Sequence, residues 1–178
     1  MMTSRLVTPS LFAVAAIPFL LPFFSVSCTG QLAAGLRDMG VEPSNLRFEV
    51  TGSEFVLERV PDRLRNAYRE LEGPGTAHPL AIALGASVAA GIVLSGLPRR
   101  LGGAAGTLLG LAGIVLLIRL GWALAEEARA RVQPNAREFI DLGWEVGAWA
   151  VAGLLAGASL HGLYRLVRRD RPAAMLPP

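Results

Sequence analysis

At 178 residues the chain is one domain in size, and its 52% hydrophobic content and mean hydropathy of +0.46 are high for a soluble domain of that length. The net charge of +3 comes entirely from arginine, because the sequence has no lysine, and that charge sits at the ends of apolar segments rather than along a nucleic-acid-binding face. The single cysteine, Cys28, excludes an internal disulfide and a cysteine-cluster metal site.

In chain order, a short polar start carries Arg5 and leads into the apolar run 11–27, LFAVAAIPFLLPFFSVS. This run predicts a first membrane span. A second reading is an export signal, with Arg5 as its positive region and Ser25-Val26-Ser27-Cys28 near a lipoprotein processing site. A retained span is preferred, since Pro18 and Pro22 are tolerated in a spanning helix that packs against neighbours. Each proline removes a backbone donor and should kink the helix.

The segment 29–77 is polar, with six arginines against eight acidic residues. Its net charge of −2 suits the outer side of a membrane. Leu46, Phe48 and Val50 alternate with polar residues and predict a strand. Thr51-Gly52-Ser53 then predicts a turn, with 55–60 returning as a second strand. Pro61 is placed to open a helix whose apolar stripe is Leu64, Ala67, Tyr68 and Leu71. The whole reads as a small extracytoplasmic α/β cap.

Spans two and three, 79–97 and 101–125, are joined by Pro98-Arg99-Arg100. About 20 apolar residues at roughly 1.5 Å each cross a bilayer core, and a link this short makes the two spans an antiparallel hairpin. The two arginines put its tip on the cytoplasmic side. A charged loop, 126–141, with net charge −1, returns to a fourth span at 142–164. The tail 165–178 carries Arg165, Arg168, Arg169 and Arg171 against Asp170. The fold expected is therefore an all-α membrane protein of four transmembrane helices, with both termini cytoplasmic and Trp122 and Trp144 near the outer boundary.

Small residues recur four apart: Ala83, Ser87, Gly91 and Ser95 in span two, and Gly102, Gly106 and Gly110 in span three. Span four has Ala148, Ala152 and Ala156 on one line and Gly153 with Gly157 on another. Residues at that spacing share a helix face and let another backbone approach, either within one bundle or from a partner.

Arg119 and Glu145 are expected at similar depths as an intramembrane charge pair, with snorkelling of Arg119 as the alternative. His161, four residues after Gly157, has the local pattern of a pigment ligand, but reads first as an interfacial histidine. His78 has no metal-ligand companions in sequence, and Cys28 reads as an ordinary residue before it reads as a lipidation site. No nucleotide loop, nucleophile elbow or His-Glu-x-x-His is present.

The passage 21–31, LPFFSVSCTGQ, resembles a stretch in uncharacterised bacterial inner-membrane proteins. In those, a first helix ends in Pro-Phe and Val-Ser-Cys, Gly and Gln come next, and an outer segment carries a Thr-Gly or Ser-Gly step, here Thr51-Gly52. The resemblance implies a bacterial multi-span membrane protein and no activity. The function expected is a non-catalytic accessory or scaffold subunit, in a respiratory or photosynthetic assembly for example. It would have membrane lipids and other subunits as partners, and no cofactor, nucleic acid or small-molecule substrate. The alternatives are a small transporter or channel using Arg119 and Glu145, and an envelope sensor whose cap binds a ligand among Phe48, Phe55 and Tyr68.

Overall fold

The structure, a computed structural model, describes residues 3–28, 34, 35, 38, 40, 47–57, 78–130 and 140–167. Helix α1, Thr3–Ala15, continues as a 3-10 turn, Ile17–Leu20, and then as strand β1, Pro22–Cys28. Strand β2, Arg47–Thr51, runs into the short helix α2, Gly52–Leu57. Helices α3, Pro79–Leu94, and α4, Arg99–Ala130, form the hairpin. Strand β3, Ile140–Trp144, precedes the last helix, α5, Val146–Val167.

The described residues are mostly helical with a small sheet, and the expected span 11–27 is not one helix. Pro18 lies at the start of the 3-10 turn, and Leu21 is already extended. Two prolines four apart each lack the N–H that an α-helix needs, so the chain leaves the helix here. The residues after Pro22, Phe-Phe-Ser-Val-Ser, combine aromatic and β-branched side chains with alternating serine, which suits a strand.

β1 is the centre of a three-stranded antiparallel sheet of order β2-β1-β3. Phe24 pairs with Val50 on one side and Trp144 on the other, with an irregularity between Pro22 and Phe24. The sheet is therefore not a cap confined to 29–77, because two of its strands come from stretches expected to be helical or loop. Ile140, Leu142 and Trp144 alternate with Asp141 and Gly143, the period-two signature of β3. This strand delays the last helix from the expected 142 to Val146.

A second correction concerns 55–57 of the segment 55–60, expected as a returning strand, whose last three residues lie outside the described residues. The chain turns into α2 instead. The Thr51 N–H donates to the Glu54 carboxylate (2.7 Å), and the Glu54 N–H donates to Thr51 Oγ1 (3.3 Å). This reciprocal Thr-x-x-Glu box satisfies two donors at a helix start. The expected helix at Pro61 lies outside the described residues.

Helix α1 lies in a groove walled by α3, α4 and α5. A Cβ placed on Gly91 would meet the Phe12 ring, one on Gly106 would lie 2.8 Å from Thr8 Cγ2, and one on Gly157 would lie 3.9 Å from Leu11 Cδ1. Phe12 and Ala15 are fully buried there. Thr8 of α1, the α3–α4 link and Arg165 near the end of α5 lie together at one end of the bundle. The sheet closes the other end, where Phe23 and Phe24 join Leu84, Leu117 and Leu155 in the core. Outside this core the helix surfaces are apolar as well: Leu6, Ile17, Leu20, Leu101, Leu108, Trp122, Trp149 and Leu160 are all exposed.

Candidate functional site

The hairpin end is built from glycines, carbonyl oxygens and one arginine. The link between α3 and α4 is Ser95-Gly96-Leu97-Pro98 rather than Pro98-Arg99-Arg100, since Arg99 and Arg100 already belong to α4. Arg165, expected as part of an exposed basic tail, is 4% exposed. Its guanidinium donates to the carbonyls of Ser95 (2.9 Å) and Leu97 (3.4 Å). These are carbonyls that the end of α3 and the turn leave without helical partners. A cation at a helix C-terminus is also favoured by the helix dipole. Gly102 gives it room, since a Cβ there would crowd Leu97 O, Ser95 O and Arg165 Nη2.

From this end a seam runs up α4 and α5. A Cβ on Gly162 would lie 2.7 Å from both Gly103 O and Thr107 N, and one on Gly110 would overlap Ser159 Oγ. Such backbone approach needs small residues on both helices. Thr107 Oγ1 donates to Gly103 O (3.0 Å) on its own helix and to Ser159 O (3.3 Å) across the seam. Gly102, Gly106 and Gly110 thus all lie on the inner face of α4.

At the sheet end α4 passes under β3. A Cβ on Gly121 would lie 2.8 Å from the Trp144 ring, which meets Phe24 edge-on at 5.3 Å. The Glu145 N–H donates to Phe23 O (2.9 Å), anchoring the start of α5 to β1. Just beneath the sheet is a hollow of about 340 Å³ between α4 and α5, lined by Ile114, Leu117, Ile118, Trp144, Trp149 and Ala152. Apart from the indole rings of Trp144 and Trp149 its lining is aliphatic, and it holds no charged side chain, so it suits an alkyl or aromatic group.

The two charges expected to pair sit as follows on their elements. Arg119 is exposed, two residues and so about 200° around α4 from Gly121, the position facing Trp144. Glu145 lies ahead of α5 rather than one turn inside it, and its carbonyl accepts from the Trp149 N–H. No ion pair joins the two among the described residues. Ser87 and Gly91 are buried on α3, Ala83 is half-buried, and Ser87 Oγ donates to Leu84 O (2.7 Å). Gly153 faces open space, with nothing within 4 Å of its Cβ position.

His161 is half-buried, its ring 6.1 Å from that of Tyr164. Gly157, whose small surface a pigment ring would need, is half-buried, with Leu11 Cδ1 of α1 3.9 Å from its Cβ position. Cys28 ends β1, paired with Ile140. Processing ahead of Cys28 would remove α1 and nearly all of the central strand. His78, passed over as a ligand, is the N-cap of α3, its Nδ1 accepting from the Leu80 N–H (3.3 Å). A histidine directly before Pro79 at a helix start was the available signal. Among the described residues no group of three or more His, Cys, Asp or Glu is placed to hold a metal.

No protein-family model matches the chain, and neither a curated protein nor a solved structure is significantly similar to it. Two helical stretches, Arg100–Glu127 and Val146–Val167, are long and apolar enough to cross a membrane.

Proposed function

We propose that the chain is a four-span protein of the bacterial inner membrane, acting as a non-catalytic accessory or scaffold subunit of a larger membrane assembly. The observation that carries the membrane reading is exposure. Only 33% of the apolar window in 100–127 and 39% of that in 146–167 is buried. A core helix of a soluble protein hides its apolar surface, whereas these helices present Leu101, Leu108, Leu111, Val115 and Leu160 outward. Lipid chains are the environment that such a surface fits.

α1 with its 3-10 turn, and α3, supply the other two crossings. Thr3–Ala15 and Ile17–Leu20 together rise about 28 Å, and Pro79–Leu94 about 24 Å, at roughly 1.5 Å per α-helical and 2.0 Å per 3-10 residue. The charge asymmetry supports an inside hairpin end, with Arg5, Arg99 and Arg100, and an outside sheet end. Exposed Trp122 and Trp149 then fall at the outer headgroup layer.

The subunit reading is supported by the exposed apolar helix surfaces and by Gly153, which is open to close approach from outside, together with the lack of a reactive constellation among the described residues. Transport through Arg119 and Glu145 is less well supported, since Arg119 points away from the helix interfaces. Purification of the native chain in mild detergent tests the proposal. Migration in fixed ratio with a larger complex is the expected result. A monodisperse particle of one chain, or of several identical chains, would overturn the subunit reading.

A further inference from the structure

Hydroxyl side chains in a helix usually bond back to the preceding turn. Among the described residues of α1, α3, α4 and α5, four do so. Ser10 donates to Leu6 O (2.7 Å), Ser87 to Leu84 O (2.7 Å), Thr107 to Gly103 O (3.0 Å) and Ser159 to Leu155 O (2.8 Å). Thr8 Oγ1, within α1, and Ser95 Oγ, on the residue that caps the C-terminal end of α3, do not. Both residues are 0% exposed, and neither oxygen has a protein partner.

These two exceptions are neighbours. The point where Gly106 would carry a Cβ lies 2.8 Å from Thr8 Cγ2 and 3.7 Å from Ser95 Cβ, so those two carbons are at most 6.5 Å apart. The two residues flank one glycine and stand 87 apart in sequence. A bridging molecule must be small and neutral. The Arg165 guanidinium, 2.9 Å from Ser95 O, disfavours a cation, and the carbonyl oxygens of Ser95 and Leu97 around it disfavour an anion. It must also donate and accept, because hydroxyls do both.

We propose that one water molecule is bound between Thr8 and Ser95, beside Gly106, and joins α1 to the C-terminal end of α3. Buried waters serve such otherwise unsatisfied groups and are costly to remove. The inference does not depend on the membrane reading, since it concerns packing inside the bundle.

Thermal unfolding of the purified full chain tests it, using Thr8→Val, Ser95→Ala and the double variant, with Ser10→Ala as a control. A shared water predicts that each single variant lowers Tm by about 2–4 °C, on the scale of one lost buried interaction in a chain of this size. It also predicts that the double variant falls no further than the worse single, because either change empties the same site. Unchanged or raised Tm in the single variants would mean dry hydroxyls relieved by removal, and would overturn the proposal. Additive losses would overturn it too. A high-resolution map gives a readout that survives a variant failing to fold. A density peak within about 3 Å of both hydroxyl oxygens is expected, and none would contradict the site.

Discussion

The two ends of the bundle are held together by different physics. At the sheet end, bulk does it: Phe23, Phe24 and Trp144 fill the space between β1, β3 and the helices, with rings 5.3–6.3 Å apart. At the hairpin end, shape and polarity do it. Glycines bring α4 against α5, and Arg165 ties α5 to the turn of α3. Aromatic packing tolerates a substitute of similar volume. Backbone contact and a forked donor do not, so the two ends should respond differently to conservative changes.

The largest expected effect is at the sheet end. Phe24→Ala should cost about 3–5 kcal/mol of stability, the usual range for emptying a buried phenylalanine site. Phe24→Leu should recover most of it, as a chemical or thermal unfolding series would show. At the other end, Arg165→Met leaves two carbonyls without their donor and should cost about 2–4 kcal/mol at one to two lost bonds to a charged group. Here the conservative Arg165→Lys should recover little, because an ammonium lacks the planar fork that reaches both carbonyls. Equal rescue at both ends would erase the contrast.

Smaller changes sharpen it. Gly162→Ala should cost about 1–3 kcal/mol, since its new methyl meets the backbone of Gly103 and Thr107 and the helices must move apart. Gly153→Ala, on the same helix but facing open space, should instead raise stability by about 0.5–1 kcal/mol in isolated protein, the ordinary gain in helix propensity. His78→Ala should cost about 1 kcal/mol for the lost cap. Arg119→Leu should leave unfolding unchanged, and a clear loss there would point to a partner for its side chain.

The helical hairpin and the seam glycines are legible in the sequence, because four-residue spacing of small residues and a long apolar run are local signals. The sheet is not. Residues 22–28 sit inside an apolar run, and what makes them a strand is pairing with Arg47–Thr51 and with Ile140–Trp144, more than a hundred residues away. Pro18 and Pro22 read as kinks in a continuing helix, whereas they mark its end. Arg165 is hard to read for a similar reason. Its charge is visible in a basic cluster, but the space and carbonyls that bury it come from Gly102, Ser95 and Leu97 on other elements. Thr51-Gly52-Ser53-Glu54 carries a capping box as well as a turn signal, and the capping box wins.

Above all, the two ends of the bundle should lie on opposite sides of a membrane. Labelling of single cysteines in intact cells tests this most directly, with Cys28→Ser as background and a membrane-impermeant thiol reagent as probe. Asp141→Cys, in β3, should react in intact cells, and Arg100→Cys, at the hairpin, only after the membrane is opened. Reaction of both from the same side, or recovery of the chain in the soluble fraction, would contradict the four-span arrangement.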